Sequence, residues 1–211
     1  MVSPPERPAA AAVETIELSY VDRTIVGPPD HVIAERDRLG LDARDEVWDG
    51  VYHMAPQPLP KHQLLVFRLA CTWHPIAEAV GLIVCHELSL FPPSGPSRSQ
   101  YRVPDILVFD EAVLADSGVT GAARLVVEVR SPGDESYLKL PYYDEIGVGE
   151  VLIIDRDTKV VRRWARDAGG PLEERTTRDG GWHPLDALPI RVRGTGDGEL
   201  TVQVGDEVTV L

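Results

Sequence analysis

The chain has 211 residues, of which 43% are hydrophobic and 26% are charged, and its formal net charge is −13. This length and composition are typical of one soluble globular domain, and no run of about 18 apolar residues indicates a membrane-spanning helix. The negative charge argues against a general affinity for nucleic acid, because binding to a polyanion normally uses a basic face. With Cys71 and Cys85 as the two cysteines, we expect no disulfide framework and a reducing, cytoplasmic setting.

The N-terminal region is predicted to be a tail. Its apolar patch is too short for a signal peptide, and Glu6 interrupts what would be the basic segment. We therefore expect residues 1–27 to be disordered or extended, and residues 28–211 to form a single domain. A helix is predicted from Pro28 to Leu41, and Asp49-Gly50 between β-prone pairs predicts a hairpin.

The next segment predicts a long helix followed by a strand. Apolar residues between about Lys61 and Val80 wrap far round a helical cylinder, which favours a well buried helix. Pro75 is expected to kink or split this helix. A strand is predicted from Leu82 to Phe91, and the composition of residues 92–101 is typical of a loop.

The central part of the chain predicts the core of a sheet. Val103 to Phe109 and Arg124 to Val129 are nearly continuous apolar runs, as expected of strands covered on both faces. A helix is predicted from about Asp134 to Ile146, and then a short buried strand from Val151 to Asp155. The remainder suggests short antiparallel strands. The fold class is therefore α/β or α+β, a mixed central sheet flanked by helices, with extra strands at the N-terminal hairpin and the C-terminus.

Two carboxylates interrupt the apolar runs of the predicted central strands. Alternation places Glu128 on the face opposite Leu125, Val127 and Val129, and a carboxylate in such a run is costly to bury unless it is paired or metal-bound. Asp105 opens the preceding strand. Either residue alone has an ordinary explanation, a strand-end ion pair for Glu128 or a turn for Asp105. Together they favour a site for a divalent cation.

Lys139 is the third candidate residue. On a helix it would share a face with Tyr142, Tyr143 and Ile146, so we expect it to lean toward the core. A surface lysine with a buried stem remains the alternative explanation. With two carboxylates, such a lysine would complete the minimum set of groups for metal-assisted phosphodiester hydrolysis.

Other acidic, cysteine and histidine residues carry weaker signals. Cys71, His74, Cys85 and His86 do not follow a recognised zinc-ligand spacing. Glu87 lies on the strand before Asp105 and could add an acidic ligand, although a solvent-facing strand residue is the favoured interpretation.

Three sequence motifs of this chain resemble those of a known family. The runs V-P-D-I-L-V-F-D and V-V-E-V-R-S-P-G-D-E-S-Y-L-K-L-P-Y-Y-D-E-I-G-V-G-E-V-L-I-I-D, with W-D-G-V-Y-H-M-A-P-Q-P-L-P-K-H upstream, are similar to the Uma-two family, described as "putative restriction endonuclease". That family belongs to the PD-(D/E)XK nuclease superfamily. The resemblance covers about residues 30–190 and implies a restriction-endonuclease-like fold.

The resemblance also implies roles for individual residues. Asp105 and Glu128 would be the acidic metal ligands, joined by the carbonyl of Val129, and the cofactor would be Mg²⁺ or Mn²⁺. The usual superfamily lysine position holds Arg130, which stays protonated and could at most bind phosphate. The resemblance therefore selects Lys139 as the catalytic lysine, and His62 matches the family's helix-opening histidine.

The function expected from this resemblance is metal-dependent endonucleolytic cleavage of DNA. Two alternatives remain open at this stage. One is a catalytically silent nuclease-fold protein that acts in interaction or regulation, with a homodimer as a candidate assembly. The other is a metal-dependent hydrolase that acts on a substrate other than DNA. The acidic net charge favours the first alternative, and the intact set of Asp105, Glu128 and Lys139 disfavours it.

Overall fold

The computed structural model describes residues 24–177 and 180–211. Its α-helices are α1 (Asp30–Leu39), α2 (Pro60–Ala79) and α3 (Leu140–Glu145), and 3₁₀ turns occur at Glu111–Val113 and Ser136–Lys139. The strands are β1 (Ile25–Val26), β2 (Glu46–Trp48), β3 (Val51–Met54), β4 (Ile83–His86), β5 (Leu90–Phe91), β6 (Ile106–Phe109), β7 (Leu114–Ala115), β8 (Gly118–Thr120), β9 (Leu125–Arg130), β10 (Glu150–Asp155), β11 (Val161–Arg166), β12 (Leu172–Arg175), β13 (His183–Pro184), β14 (Arg191–Gly194), β15 (Leu200–Val204) and β16 (Glu207–Val210).

A six-stranded mixed sheet forms the centre of the molecule. Its strand order is β12-β11-β10-β9-β6-β4, with β9 and β10 parallel and the other neighbours antiparallel. Every residue of β6 is buried, as are the first five residues of β9 and of β10. The predicted mixed sheet and its two buried central strands are confirmed. These strands are mostly apolar because both of their faces are covered.

The two faces of the sheet carry separate parts of the core. Helix α2 and the C-terminal strands cover one face, where Val127 and Val129 of β9 point. The tyrosines of α3 cover the other face, toward which Val126 points. This alternation places Glu128 on the α3 side, as the sequence pattern predicted.

Helix α2 is one continuous element. It starts with Pro60 in its first turn, where a missing N–H has no helical partner to lose, and it buries Leu65, Val66, Leu69, Trp73 and Ala77. Of the two outcomes expected at Pro75, the split is wrong, because α2 runs through this residue unbroken, and the kink stays a prediction. Both Pro75 and Cys71, whose carbonyl loses the helical hydrogen bond, are exposed, so water can replace that bond.

The predicted hairpin is confirmed as β2 and β3. Its turn residues Asp49 and Gly50 have φ values of 50° and 83°, which the two-residue type I′ turn requires and an Asp-Gly pair readily adopts. Strand β1 adds to β3 and completes a three-stranded sheet. Residues 1–23 of the predicted N-terminal tail lie outside the described residues, so the disordered or extended tail and the single domain over 28–211 stay predictions.

The single strand predicted from Leu82 to Phe91 is wrong. The chain forms β4 in the central sheet and β5 in a small sheet of order β5-β8-β7. Glu87 separates the two strands with a φ of 51°, a left-handed conformation that extended pairing does not allow. The strand predicted from Val103 is also shorter than expected, because β6 starts at Ile106.

The helix predicted from Asp134 to Ile146 is present in two parts. A 3₁₀ turn at Ser136–Lys139 leads directly into the six-residue helix α3, with Pro141 in the tolerated first turn. Gly147 follows the helix with a φ of 85°, which is the left-handed conformation that ends many helices. Tyr142, Tyr143 and Ile146 are buried, as their spacing predicted.

The C-terminal residues form the expected short antiparallel strands. Their order is β13-β14-β15-β16, and residues such as Val192 and Val202 pack in the same core cluster as α2. Within the two described ranges, none of the helices is both long and apolar enough to span a bilayer.

The packing of α2 predicts a sharp contrast between two of its residues. Leu69 is fully buried against the sheet, whereas the Phe67 side chain is 62% exposed. We expect Leu69→Ala to lower the free energy of unfolding by about 2–5 kcal/mol, because it leaves a cavity in the core. Phe67→Ala, the matched control on the same helix, should change it by no more than about 0.5 kcal/mol. Urea denaturation measures both; equal effects would contradict this assignment of the buried face.

Candidate active site

The register of the sheet brings Asp105 and Glu128 to the same end of neighbouring strands. Ile106 of β6 pairs with Val127 of β9, so extending the ladder by one residue sets Asp105 opposite Glu128. The Asp105 side chain is 17% exposed and the Glu128 side chain 4% exposed. Two carboxylates from distant parts of the sequence therefore lie side by side at the edge of the core.

Asp105 is fixed through one of its oxygens. Its Oδ2 accepts the backbone N–H of Val129 at 2.6 Å and lies 3.2 Å from Nε2 of His62. Burial opposes charge on His62, but the hydrogen bond to Asp105 and the negative charges of Asp105, Glu128 and Glu87 together outweigh it and raise the histidine pKa. In the described parts of the chain, Oδ1 of Asp105 accepts no hydrogen bond, so this oxygen remains available to a ligand in the cleft.

Glu128 is held by two donors. Its Oε1 accepts a hydrogen bond from the Tyr143 hydroxyl and lies 3.1 Å from Nζ of Lys139, while Oε2 lies 3.2 Å from the same ammonium. Burial raises the pKa of Glu128 to about 8, and the ammonium of Lys139 opposes this rise. A carboxylate in this environment gains from any further positive charge that reaches it.

Lys139 lies where the 3₁₀ turn meets α3, and its side chain is 13% exposed. Its ammonium bridges Glu128 and Glu46, with Nζ 2.8 Å from Oε1 of Glu46. Burial opposes its charge, yet Glu128 and Glu46 together raise the pKa of Lys139 above its ordinary value. Lys139 is therefore a buried, protonated lysine, and its position toward the core agrees with the sequence pattern.

Glu46 was missed by the sequence analysis, which treated its segment only as a hairpin. It is buried in β2, and its carboxylate accepts the backbone N–H of Val103 at 2.8 Å and the indole N–H of Trp48 at 2.6 Å. Alternation in β2 puts Glu46 and Trp48 on one face. An acid and a tryptophan that share one strand face before an Asp-Gly turn were the available signal.

The remaining candidates have different positions. Glu87 lines the same cleft, where its Oε1 accepts a hydrogen bond from Gln63 at 2.8 Å and lies 4.0 Å from Nε of Arg44. It is therefore not the solvent-facing strand residue that we favoured. Arg130 lies 3.2 Å from Asp155 at the end of β9, so its guanidinium is already paired with a carboxylate.

Asp105, Glu128, Lys139 and Glu46 lie on the wall of a cleft of about 270 Å³. Its ionisable lining residues are Glu46, Glu87, Asp105, Glu128, Asp134 and Glu135 against Arg44, Lys139 and Arg156, with His53 and His62 beside them. Acidic groups outnumber lysine and arginine two to one, so a cation is favoured in the cleft over an isolated anion.

The cleft offers oxygen donors that a divalent cation could use. Among residues 24–177 and 180–211, no three side chains of His, Cys, Asp and Glu are grouped as metal ligands. Asp105 and Glu128 supply two oxygen donors, and Val129 also lines the cleft. Carboxylate and carbonyl oxygens suit a hard cation that keeps several waters, such as Mg²⁺, which is commonly held by one or two carboxylates. The residues present fit such an ion.

The chain is similar to a known protein family and to a solved structure. The sequence profile of the Uma2 family, described as "Putative restriction endonuclease", matches residues 36–202. A solved structure described as a putative nuclease belonging to DUF820, from Anabaena variabilis, shares the fold with a TM-score of 0.53 and 18% identity, over 68% of this chain and 82% of that one. Among curated proteins, none matches the chain.

The mixed sheet and the structural match define a restriction-endonuclease-like nuclease fold. Since the profile match spans most of the sequence, the chain belongs to the Uma2 family, and the resemblance seen in the sequence is confirmed. The roles of Asp105, Glu128, Val129 and Lys139, and the accessory roles of His62, Arg130 and Glu87, stay predictions.

Tyr143 provides a test of how strongly Glu128 depends on its donors. Above pH 8, where Glu128 is ionised, we expect Tyr143→Phe to lower the free energy of unfolding by about 1–3 kcal/mol, because a buried carboxylate loses a hydrogen bond. Tyr142→Phe is the matched change on the same helix; it removes a neutral hydrogen bond, from its hydroxyl to the Leu90 carbonyl at 2.9 Å, and should cost less. Thermal and urea unfolding measure the difference. A smaller effect for Tyr143→Phe would contradict this account of Glu128.

Proposed function

We propose that this protein is a metal-dependent endonuclease that hydrolyses phosphodiester bonds of DNA. The observation that carries the proposal is the alignment of Asp105 and Glu128 across β6 and β9, with the ammonium of Lys139 on Glu128. Membership of the Uma2 family and the nuclease fold support the same class of activity.

In this proposal Mg²⁺ or Mn²⁺ is held by Asp105, Glu128 and the main-chain carbonyl of Val129. When bound, such an ion would polarise a phosphoryl oxygen and acidify a coordinated water. This assignment is supported by Oδ1 of Asp105, which accepts no hydrogen bond from the described residues, and by the acidic excess of the cleft. The identity of the ion is chosen from the oxygen donors alone, which suit both metals.

Lys139 would act as a charged hydrogen-bond donor. Because two carboxylates keep its amine protonated, it is poorly suited to remove a proton and well suited to stabilise negative charge that develops on a phosphoryl group. The Val129 N–H and His62 would keep Asp105 in one orientation. Glu87 and Arg130 lie beside the site in different pairings, and we assign them no step.

The acidic balance of the chain restricts how DNA could approach. A net charge of −13 does not provide a broad basic surface, so contacts to phosphate would have to be local. Arg44 and Arg156 also line the cleft; they are paired with Glu87 and Asp157 and would have to exchange these partners for phosphate. A homodimer and a cytoplasmic location remain expectations beside this proposal.

The proposed function predicts a specific pattern of losses. Asp105→Ala and Glu128→Gln should each reduce Mg²⁺- or Mn²⁺-dependent nicking of plasmid DNA by at least about 100-fold, because each removes charge that the transition state requires. Glu174→Gln is the matched control; its carboxylate pairs with Arg162 on the far edge of the sheet, and its rate should match that of the parent protein.

Calorimetric titration with Mg²⁺ and Mn²⁺ separates the alternatives. The proposal expects the parent protein to bind the metal and Asp105→Ala to lose that binding. Metal binding without cleavage of duplex or single-stranded DNA would favour a hydrolase with another substrate. Absence of both metal binding and cleavage in the parent protein would favour the interaction module.

A further inference from the structure

Glu46 reaches the site from a separate sheet. The three-stranded sheet of β1, β3 and β2 is distinct from the central sheet, yet Glu46 of β2 is 2.8 Å from the Lys139 ammonium. Its side chain is 8% exposed, and that of Lys139 is 13% exposed. The lysine of the site is therefore held by an N-terminal hairpin that lies more than 90 residues earlier in the chain.

The carboxylate of Glu46 is fixed on both of its oxygens. Oε1 accepts the Val103 N–H, and Oε2 accepts the indole N–H of Trp48. Val103 lies two residues before Asp105, so the backbone that leads into the acidic ligand also holds Glu46. A carboxylate with donors on both oxygens cannot rotate freely, and charge-assisted hydrogen bonds of this kind are the strong ones.

A buried cation fastens the hairpin in place. The guanidinium of Arg102 lies between the rings of Trp48 and Tyr142, at 4.5 Å and 4.2 Å from their centroids. Its Nη1 also donates to the Val47 carbonyl at 2.9 Å. The hairpin, the segment before Asp105 and α3 therefore meet at one packed point.

Lys139 needs an anchor other than Glu128. Its flexible stem starts at the junction between a 3₁₀ turn and α3, and lysine side chains have high rotamer entropy. Glu128 is already shared between Lys139 and Tyr143. An ammonium that relied on Glu128 alone would move whenever that carboxylate changed its partners.

We propose that Glu46 is a positioning residue, which holds the ammonium of Lys139 in the cleft independently of Glu128. The effect of Glu46 on cleavage rests on the proposed function, but the positioning of the Lys139 ammonium by Glu46 does not. Glu46 touches neither substrate nor metal in this proposal and acts through Lys139. The N-terminal hairpin is then part of the active site.

The test measures the chemical accessibility of Lys139 without metal or DNA. The chain contains three lysines, Lys61, Lys139 and Lys159, so the rate of reductive methylation of each can be followed by peptide mass spectrometry. We expect Glu46→Gln to raise the rate at Lys139 roughly tenfold relative to Lys61, because the ammonium loses a charge-assisted hydrogen bond. An unchanged Lys139 rate in the folded variant would overturn the proposal.

A control and a second variant keep the test specific. Glu135→Gln neutralises a carboxylate of the same cleft that contacts His53, and it should leave the Lys139 rate unchanged; an equal increase would show that cleft charge, not Glu46, controls the amine. Trp48→Phe keeps a ring beside Arg102 but removes the donor to Glu46, so it should raise the rate by a smaller factor. This variant carries the test if Glu46→Gln fails to fold, and no increase at Lys139 would then overturn the proposal.

Plasmid cleavage gives the catalytic readout. We expect Glu46→Gln to lower kcat roughly tenfold with little change in KM, since the lysine is displaced and DNA contacts are not. If the parent protein does not cleave DNA, the nuclease function fails, while the methylation result still decides whether Glu46 holds Lys139. A changed KM with an unchanged kcat would overturn the positioning role.

Discussion

The structure depends on the burial of three ionisable groups at one end of a hydrophobic sheet. Glu128, Lys139 and Glu46 are each almost completely enclosed. Isolated buried charges are strongly unfavourable, and they persist only when partners and hydrogen bonds replace the lost water. Here every member has more than one partner, since Tyr143 binds Glu128 while Val103 and Trp48 bind Glu46. Apolar residues of similar volume would fill a core with equal or greater stability. The presence of this cluster therefore favours a chemical role over a structural one.

The sequence predicted the elements whose signals are local. Asp105 and Glu128 stood out because each interrupts an apolar run, and strand register then follows from pairing those two runs. Lys139 stood out because its helical neighbours Tyr142 and Tyr143 are core residues. The hairpin followed from Asp49-Gly50, whose backbone preferences are intrinsic to those residue types.

Features that arise from tertiary contacts were not predictable in the same way. Glu46 acquires its role only when the hairpin docks on α3 through Arg102. The segment E-V-W-D-G shows that Glu46 and Trp48 share a strand face, but it does not show what that face packs against. The break between β4 and β5 depends on a left-handed Glu87, a conformation that glutamate does not favour on its own. Pro75 would normally end a helix, but burial of Trp73 and Ala77 on the same helix holds α2 together across it. In each case packing overrode the local preference.

The acidic net charge and a nuclease role are compatible if acidic groups are concentrated in the cleft, where they can bind a cation. Most surface arginines are already paired with carboxylates, such as Arg124 with Asp110 and Arg162 with Glu174, so the outer surface offers few unpaired cations among the described residues. In the cleft, by contrast, acidic groups outnumber lysine and arginine two to one. A divalent cation bound there would change the local charge from repulsive to attractive for a phosphate. Affinity for a polyanion would then depend on the metal rather than on a basic surface, and this is how a protein with a net charge of −13 could act on DNA without binding it indiscriminately.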